Sequence, residues 1–256
     1  MSSRTVGDRP RGARLVLFDL DDTLVDHTRA LRSALAAVRF LDAALRRRTV
    51  SDLAELYQRH LTAAHDSIVR GRVSADASRR ERFRLIFEAC GAPPTARLLE
   101  RAIATYRSEY RTSRRLVPGA DGVLRALHRS CVIGVLSNNR KDEQAEKISE
   151  FGLAPHVDFV LTSEELPWAK PDPRVFRAAV ERAGTEPVRA TMVGDSWSSD
   201  VEGALRAGLA AVWLNRFGET AAPDRSVTEL RSFRPVDAAV RRILRARPRG
   251  RGATPY

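Results

Sequence analysis

The stretch Leu15-Val16-Leu17-Phe18-Asp19-Leu20-Asp21-Asp22-Thr23-Leu24 sets four apolar residues directly against an acidic turn. A short continuous apolar run reads as a strand buried on both faces, the kind that parallel sheets contain. In an open parallel sheet, ligands bind beyond the carboxyl ends of the strands, which is where this acidic turn falls. If the backbone stays near extended past Phe18, Asp19 and Asp21 face the same way and address one site. A carboxylate pair about 4 Å apart repels by roughly 4 kcal/mol at an effective dielectric of 20, so a cation is expected there. The competing reading is a surface turn or a helix cap, where Asp and Thr are common.

Outward from this stretch the rhythm recurs. Residues 132–136, 157–161, 191–193 and 210–214 read as further buried strands. Residues 143–151, 174–183 and 200–207, lying between those strands, carry helical spacing. Strand and helix in alternation predict an α/β fold: a Rossmann-like three-layer core with a parallel sheet, right-handed crossovers and helices on both faces. Residues 25–114 break the rhythm. They read as four helices near 27–46, 51–68, 78–89 and 95–111, divided by Gly71 and by Gly91-Ala92-Pro93-Pro94. Such a block is best read as an inserted all-α cap domain. The expected organisation is a disordered N-terminal tail at 1–13, a core at 14–24 and 115–217, the cap at 25–114, and a C-terminal extension at 218–256. That extension holds one short helix, Val236–Arg245, and a basic tail.

Three more polar motifs fall at predicted strand ends. Val135-Leu136-Ser137-Asn138-Asn139 offers a hydroxyl and amides suited to phosphoryl oxygens, although Ser-Asn-Asn is also ordinary turn chemistry. Trp168-Ala169-Lys170-Pro171-Asp172-Pro173 carries a compact point charge in a loop stiffened by two prolines, with Pro173 suited to open the next helix. Met192-Val193-Gly194-Asp195-Ser196-Trp197-Ser198-Ser199-Asp200 ends a strand at a glycine and adds two carboxylates, the second near a helix start. Together the strand ends supply carboxylates, a hydroxyl and an amine, which is what in-line phosphoryl transfer needs. Clustered carboxylates call for a hard divalent cation, and all-oxygen ligation favours Mg²⁺.

The four motifs, Asp19-Leu20-Asp21-Asp22-Thr23, Ser137-Asn138, Lys170-Pro171, and Gly194-Asp195 with Asp200, resemble those of haloacid-dehalogenase-like hydrolases of the phosphatase type with a helical cap. The similarity runs over about residues 14–216. It implies that Asp19 is the nucleophile that becomes an aspartyl phosphate. Asp21 would protonate the leaving oxygen and then activate water. Ser137 would bind the phosphoryl group, and Lys170 would neutralise charge around it. Mg²⁺ would be held by the Asp19 carboxylate, the Asp21 backbone carbonyl and Asp195, with Asp200 in support. Thr23 and Asn138 are the candidate substrate contacts. Dehalogenases of the family lack the second aspartate, so Asp21 favours phosphate chemistry.

Composition sets the remaining bounds. The net charge is +12, but only Lys141, Lys147 and Lys170 are lysines, so arginine dominates the 44 basic residues as a coding bias would. Nucleic-acid binding is not expected, because the basic tail lacks an aromatic residue before Tyr256. Cys90 and Cys131 make no disulfide framework and are expected as reduced, buried thiols. His60 and His65 are spaced wrongly for two zinc ligands on one helical face. No apolar run is long enough for a bilayer, and the first one runs straight into Asp19, so a cytoplasmic protein without a secretory signal is expected. The expected partner is a small phosphorylated metabolite of the nucleotide or sugar phosphate class, met by a monomer or homodimer. The cap arginines Arg79, Arg80, Arg82 and Arg84, with His27 and His65, are candidates to line its pocket, although an arginine run is more often a solvated face. Two alternatives stay open: a phosphatase of protein or nucleic-acid phosphates recruited by the basic tail, and a catalytically silent binding protein on the same fold.

Overall fold

The computed structural model describes residues 12–69, 73–220 and 227–248. Most of the expected N-terminal tail and the end of the basic tail lie outside the described residues, as does the side chain of His65. Strand β1 (Leu15–Phe18) leads into five helices: α1 (His27–Arg39), α2 (Ala43–Arg46), α3 (Val50–Val69), α4 (Ala75–Ala89) and α5 (Ala96–Thr112). There follow α6 (Ala120–His128), β2 (Val132–Ser137), α7 (Lys141–Glu150), β3 (Phe159–Thr162), α8 (Pro173–Arg182), β4 (Ala190–Gly194), α9 (Glu202–Arg206), β5 (Ala210–Leu214), β6 (Thr228–Leu230) and α10 (Val236–Arg245).

The sheet order is β3-β2-β1-β4-β5-β6, with every pairing parallel. β1 is central because both of its faces are apolar. Val16 and Phe18 join Ile133, Val135, Val193 and Val212 on one face, under α6 and α10. Leu15 and Leu17 join Val132, Leu136, Met192 and Ala211 on the other, under α8. That is the alternation a strand imposes on its side chains. Close packing at β2 depends on Gly134, where a Cβ would run into Phe159 and the Leu17 side chain. From β1 the chain builds outward to β3 and then returns to β4 on the other side of β1. This reversal opens a crevice between the carboxyl ends of β1 and β4.

The chain divides into two compact units. One comprises the described residues up to Val25 and from Leu116 onward, and the other is Asp26–Arg115. The described residues of the second unit form helices and connecting turns around their own core, where Leu31, Leu35, Phe83, Phe87, Leu99 and Tyr106 are buried together. Tyr57, Phe83, Tyr106 and Tyr110 form a run of edge-on and stacked ring contacts through it.

Several expected elements are corrected. The helix expected at 27–46 is two, because Asp42 takes an extended conformation and caps α2 by accepting from the Ala44 amide at 2.7 Å. The strand expected at 157–161 starts later, after a 3₁₀ turn at Ala154–His156. The helix expected at 200–207 begins as a wide π-type turn at Trp197–Val201 before α9. Sequence reading missed α6 and the three-residue β6, the latter too short to carry a periodic signal. Cys131 is buried as expected, whereas Cys90 is only half-buried, and both are free thiols.

Candidate active site

The side chains of the acidic turn part company immediately after β1. The Asp19 amide still belongs to the sheet, donating to the Val193 carbonyl at 3.0 Å. Beyond it the chain turns tightly: the Asp22 amide donates to the Val25 carbonyl at 2.6 Å, and Asp22 sits at φ 63°. Aspartate tolerates this left-handed conformation better than most residues. The turn brings Thr23 back under Asp195. Thr23 Oγ1 accepts from the Asp195 amide at 3.0 Å and donates to Asp195 Oδ1 at 3.1 Å. Trp213 Nε1 fixes the same residue from β5 by donating to the Asp195 carbonyl at 2.8 Å.

Lys170 enters from the loop before α8 and is buried between two carboxylates. Its Nζ donates to Asp19 Oδ1 at 2.6 Å and to Asp200 Oδ1 at 2.7 Å. The other Asp200 oxygen accepts from the Ser196 amide at 3.1 Å. Gly194 permits this approach, because a Cβ there would occupy the space of the Asp200 carboxyl group. Asn138 holds the lysine loop from β2: its Nδ2 donates to the Lys170 carbonyl and its Oδ1 accepts from the Lys170 amide, both at 2.8 Å.

The electrostatics follow from one ammonium among several acids. Burial pushes Asp19 up to about 7, with Lys170 opposing and Asp200 and Asp21 adding to the rise. Burial also holds Asp195 well above the ordinary carboxylate range, helped by Asp19, Asp200 and Asp22. Burial alone would lower Lys170, but Asp19 and Asp200 outweigh it and raise it.

Asp21 stands outside this cluster. Its Oδ1 accepts from Lys147 Nζ at 2.6 Å, and its Oδ2 accepts from Asn139 Nδ2 at 2.6 Å and Gln144 Nε2 at 2.9 Å. Gln144 Nε2 also donates to Ser137 Oγ at 2.6 Å. Two carboxylates two residues apart thus have separate cationic partners, not one shared cation as the sequence reading expected.

A family model described as haloacid dehalogenase-like hydrolase matches residues 13–208. The chain belongs to the haloacid dehalogenase-like hydrolases. It is 35% identical over 247 residues to the phosphoserine phosphatase of Thermus thermophilus, covering 85% of this chain and 96% of that protein. It is 32% identical over 235 residues to the ribulose-1,5-bisphosphate 5-phosphatase of Halopiger xanaduensis, covering 88% of this chain and 95% of that one. Among solved structures it is similar in fold to the HAD-hydrolase YfnB of Bacillus subtilis, with a TM-score of 0.70 at 22% identity over 90% of this chain and all of that one.

This haloacid dehalogenase-like hydrolase has a donor set suited to a divalent cation. Asp19, Asp195 and Asp200 each offer one carboxylate oxygen, and these lie within 4.8 Å of one another. All three are hard oxygen donors. Three clustered acids around one ammonium leave negative charge to be met, which is the chemistry of a metal centre. The Asp21 carboxylate is not in that group.

The structure brings Asp19, Asp195, Asp200 and Lys170 together, with Ser137 and Asp21 joined through Gln144. Both candidate substrate contacts have partners within the protein. Thr23 is fully buried with its hydroxyl engaged by Asp195, so it supports that aspartate. Asn138 engages the main chain of Lys170 through both ends of its amide, so it braces the lysine loop. Sequence reading missed Lys147, Gln144 and Trp213. Lys147 and Lys170, two of the three lysines in the chain, are both buried at this site.

Proposed function

We propose that this hydrolase is a magnesium-dependent phosphohydrolase that cleaves a phosphate monoester of a small metabolite through an aspartyl phosphate on Asp19. The observation that carries the reading is the contrast between its two carboxylates. Asp19 lies in the acidic cluster beside Lys170, and Asp21, two residues on, lies outside it against Lys147 and Gln144. Separate partners leave the two carboxylates free to take separate roles, and a divalent cation beside Asp19 would favour the ionised form that a nucleophile needs.

In this reading Asp19 attacks phosphorus and the bond to the ester oxygen breaks, while Asp21 delivers its proton to that oxygen. Asp21, now a carboxylate, takes a proton from the water that attacks the aspartyl phosphate, and inorganic phosphate leaves with Asp19 restored. Lys170 holds Asp19 in place and meets charge that grows on the phosphoryl oxygens. The Ser137 hydroxyl binds one of those oxygens. Asp19, the Asp21 carbonyl and Asp195, with Asp200 in support, would hold Mg²⁺, which would supply the charge that lets an anionic nucleophile meet an anionic ester. Substrate choice is assigned to the helical unit, the cap of the sequence reading. The names of the two relatives, a phosphoserine phosphatase and a ribulose-1,5-bisphosphate 5-phosphatase, support a small phosphorylated metabolite. No helix among the described residues is long and apolar enough to cross a membrane, which is compatible with the cytoplasmic location we assign.

The test is phosphate release from 4-nitrophenyl phosphate and from a panel of phosphorylated metabolites, with and without magnesium. Turnover should need the metal and vanish in Asp19→Asn. Folded, metal-loaded protein that turns over none of them would overturn the reading in favour of a silent binding protein.

A further inference from the structure

Helix α7 carries a second layer of the site that none of the four motifs contains. Gln144 and Lys147 lie one turn apart on it, both fully buried, and both point at the acidic turn after β1. Gln144 Nε2 is shared, donating to Ser137 Oγ at 2.6 Å and to Asp21 Oδ2 at 2.9 Å. Lys147 Nζ reaches Asp21 Oδ1 at 2.6 Å and Glu143 Oε1 at 3.2 Å, so α7 itself ties the ammonium down. Asn139, just before the helix, completes the set on Asp21 Oδ2 at 2.6 Å.

Two consequences follow from counting donors and acceptors. The Ser137 oxygen accepts from Gln144 and from the Asn139 amide at 3.1 Å, which occupies its lone pairs and leaves its own proton to be given elsewhere. Gln144 fixes that polarity only with its NH₂ end toward Ser137 and Asp21, and in this orientation its Oε1 is buried with no hydrogen-bond partner. A buried acceptor left unsatisfied is uncommon and costly. The reverse orientation would set the amide oxygen against a carboxylate. Gln144 therefore gives up a hydrogen bond to hold these two groups.

We propose that Gln144 and Lys147 are positioning residues for the reaction: together they fix the rotamer of the Asp21 carboxylate and turn the Ser137 hydroxyl into a donor. Neither touches the reacting atoms. The proposal deepens the reading above and rests on Asp21 being the proton carrier for the leaving oxygen. If Asp21 is misplaced, the cost falls on substrates whose leaving group needs a proton. An alkyl phosphate such as glycerol phosphate needs one, whereas 4-nitrophenyl phosphate expels a weakly basic phenolate.

The experiment compares kcat on these two esters for Gln144→Leu, Lys147→Met, Lys147→Arg and Asp21→Asn, each with magnesium and with folding checked by circular dichroism. Gln144→Leu removes no charge, so it serves even if Lys147→Met fails to fold. The expected result is a loss of about 100-fold on the alkyl ester, and under about 10-fold on the aryl ester, for Gln144→Leu and Lys147→Met. Lys147→Arg should recover part of the alkyl activity, and Asp21→Asn should show the same selectivity more strongly. Equal losses on both esters, or none, in a background where Asp21→Asn is selective would overturn the positioning role alone. An unselective Asp21→Asn would overturn the proton-carrier reading, and the positioning role with it.

Discussion

Lys170 Nζ stands 2.7 Å from the Asp200 carboxylate, and both side chains are buried. The same ammonium reaches Asp19 at 2.6 Å, so one cation serves two acids, one just past β1 and one in the turn Trp197–Val201. Removing one partner of a buried ion pair leaves an uncompensated charge, which costs about 3–5 kcal/mol. Lys170→Met should therefore lower the unfolding free energy of the metal-free protein, read from urea denaturation, by an amount in that range. Added magnesium should recover part of the loss, because it restores positive charge to the same carboxylates. A variant as stable as the parent in metal-free buffer would show that the lysine is not the counter-charge of this site.

The acidic cluster also sets a pH dependence. In the folded, metal-free chain Asp19 is held at about 7, above its ordinary value of 3.8, chiefly by burial. A carboxyl with a raised folded pKa contributes stability that is fully present below the unfolded value and is lost as pH climbs through about 7. Magnesium needs the ionised form, so loading must expel the proton. Apparent magnesium affinity should thus rise with pH through about 7, and the raised Asp195, a ligand in the same cluster, should add to that rise. Calorimetric titration at pH 6 in two buffers of different ionisation heat should report protons released on binding. No release at that pH would refute the expectation.

The fold was legible because its signals are local. Leu15–Phe18 and Ala210–Leu214 are runs of buried apolar residues whose ends coincide with polar punctuation, and α8 opens at Pro173 with Asp172 as its cap. The acidic cluster was legible for the same reason, since each of its members sits at or near a strand end. What stayed hidden is tertiary. The partners of Asp21 come from α7, more than a hundred residues along the chain, and Lys147 there looks like any helical lysine until the fold buries it. The link from Thr23 to Asp195 was hidden for the same reason, since it depends on the turn at Asp22 that swings the hydroxyl toward a residue 172 positions along the chain.

Thr23→Val tests the supporting role of Thr23 toward Asp195 with little change of shape. The valine keeps the buried volume but removes the acceptor of the Asp195 amide and the donor to Asp195 Oδ1. Leaving a buried amide unmatched costs about 1–3 kcal/mol. Groups that orient a metal ligand typically change affinity about 10–100-fold when lost. The variant should show both effects in a denaturation curve and a magnesium titration, with KM for 4-nitrophenyl phosphate at saturating metal little changed. A large rise in KM with intact metal binding would show Thr23 to be a substrate contact.

Gly194 offers the sharpest test of how tightly the cluster is built. A Cβ at this position would lie 2.6 Å from Asp200 Cβ and closer still to its carboxyl group, so Asp200 would have to move. Moving it breaks the bonds from Lys170 and from the Ser196 amide together. Gly194→Ala should weaken magnesium binding about 10–100-fold, the range for a lost supporting contact. The cause can be separated from general damage to β4 by a double-mutant cycle. In an Asp200→Gly background nothing remains for the new methyl to displace, so Gly194→Ala should add almost no further loss, whereas independent effects would simply add. Additive losses would mean that the glycine serves the strand and not the aspartate, and that Asp200 takes its position without it.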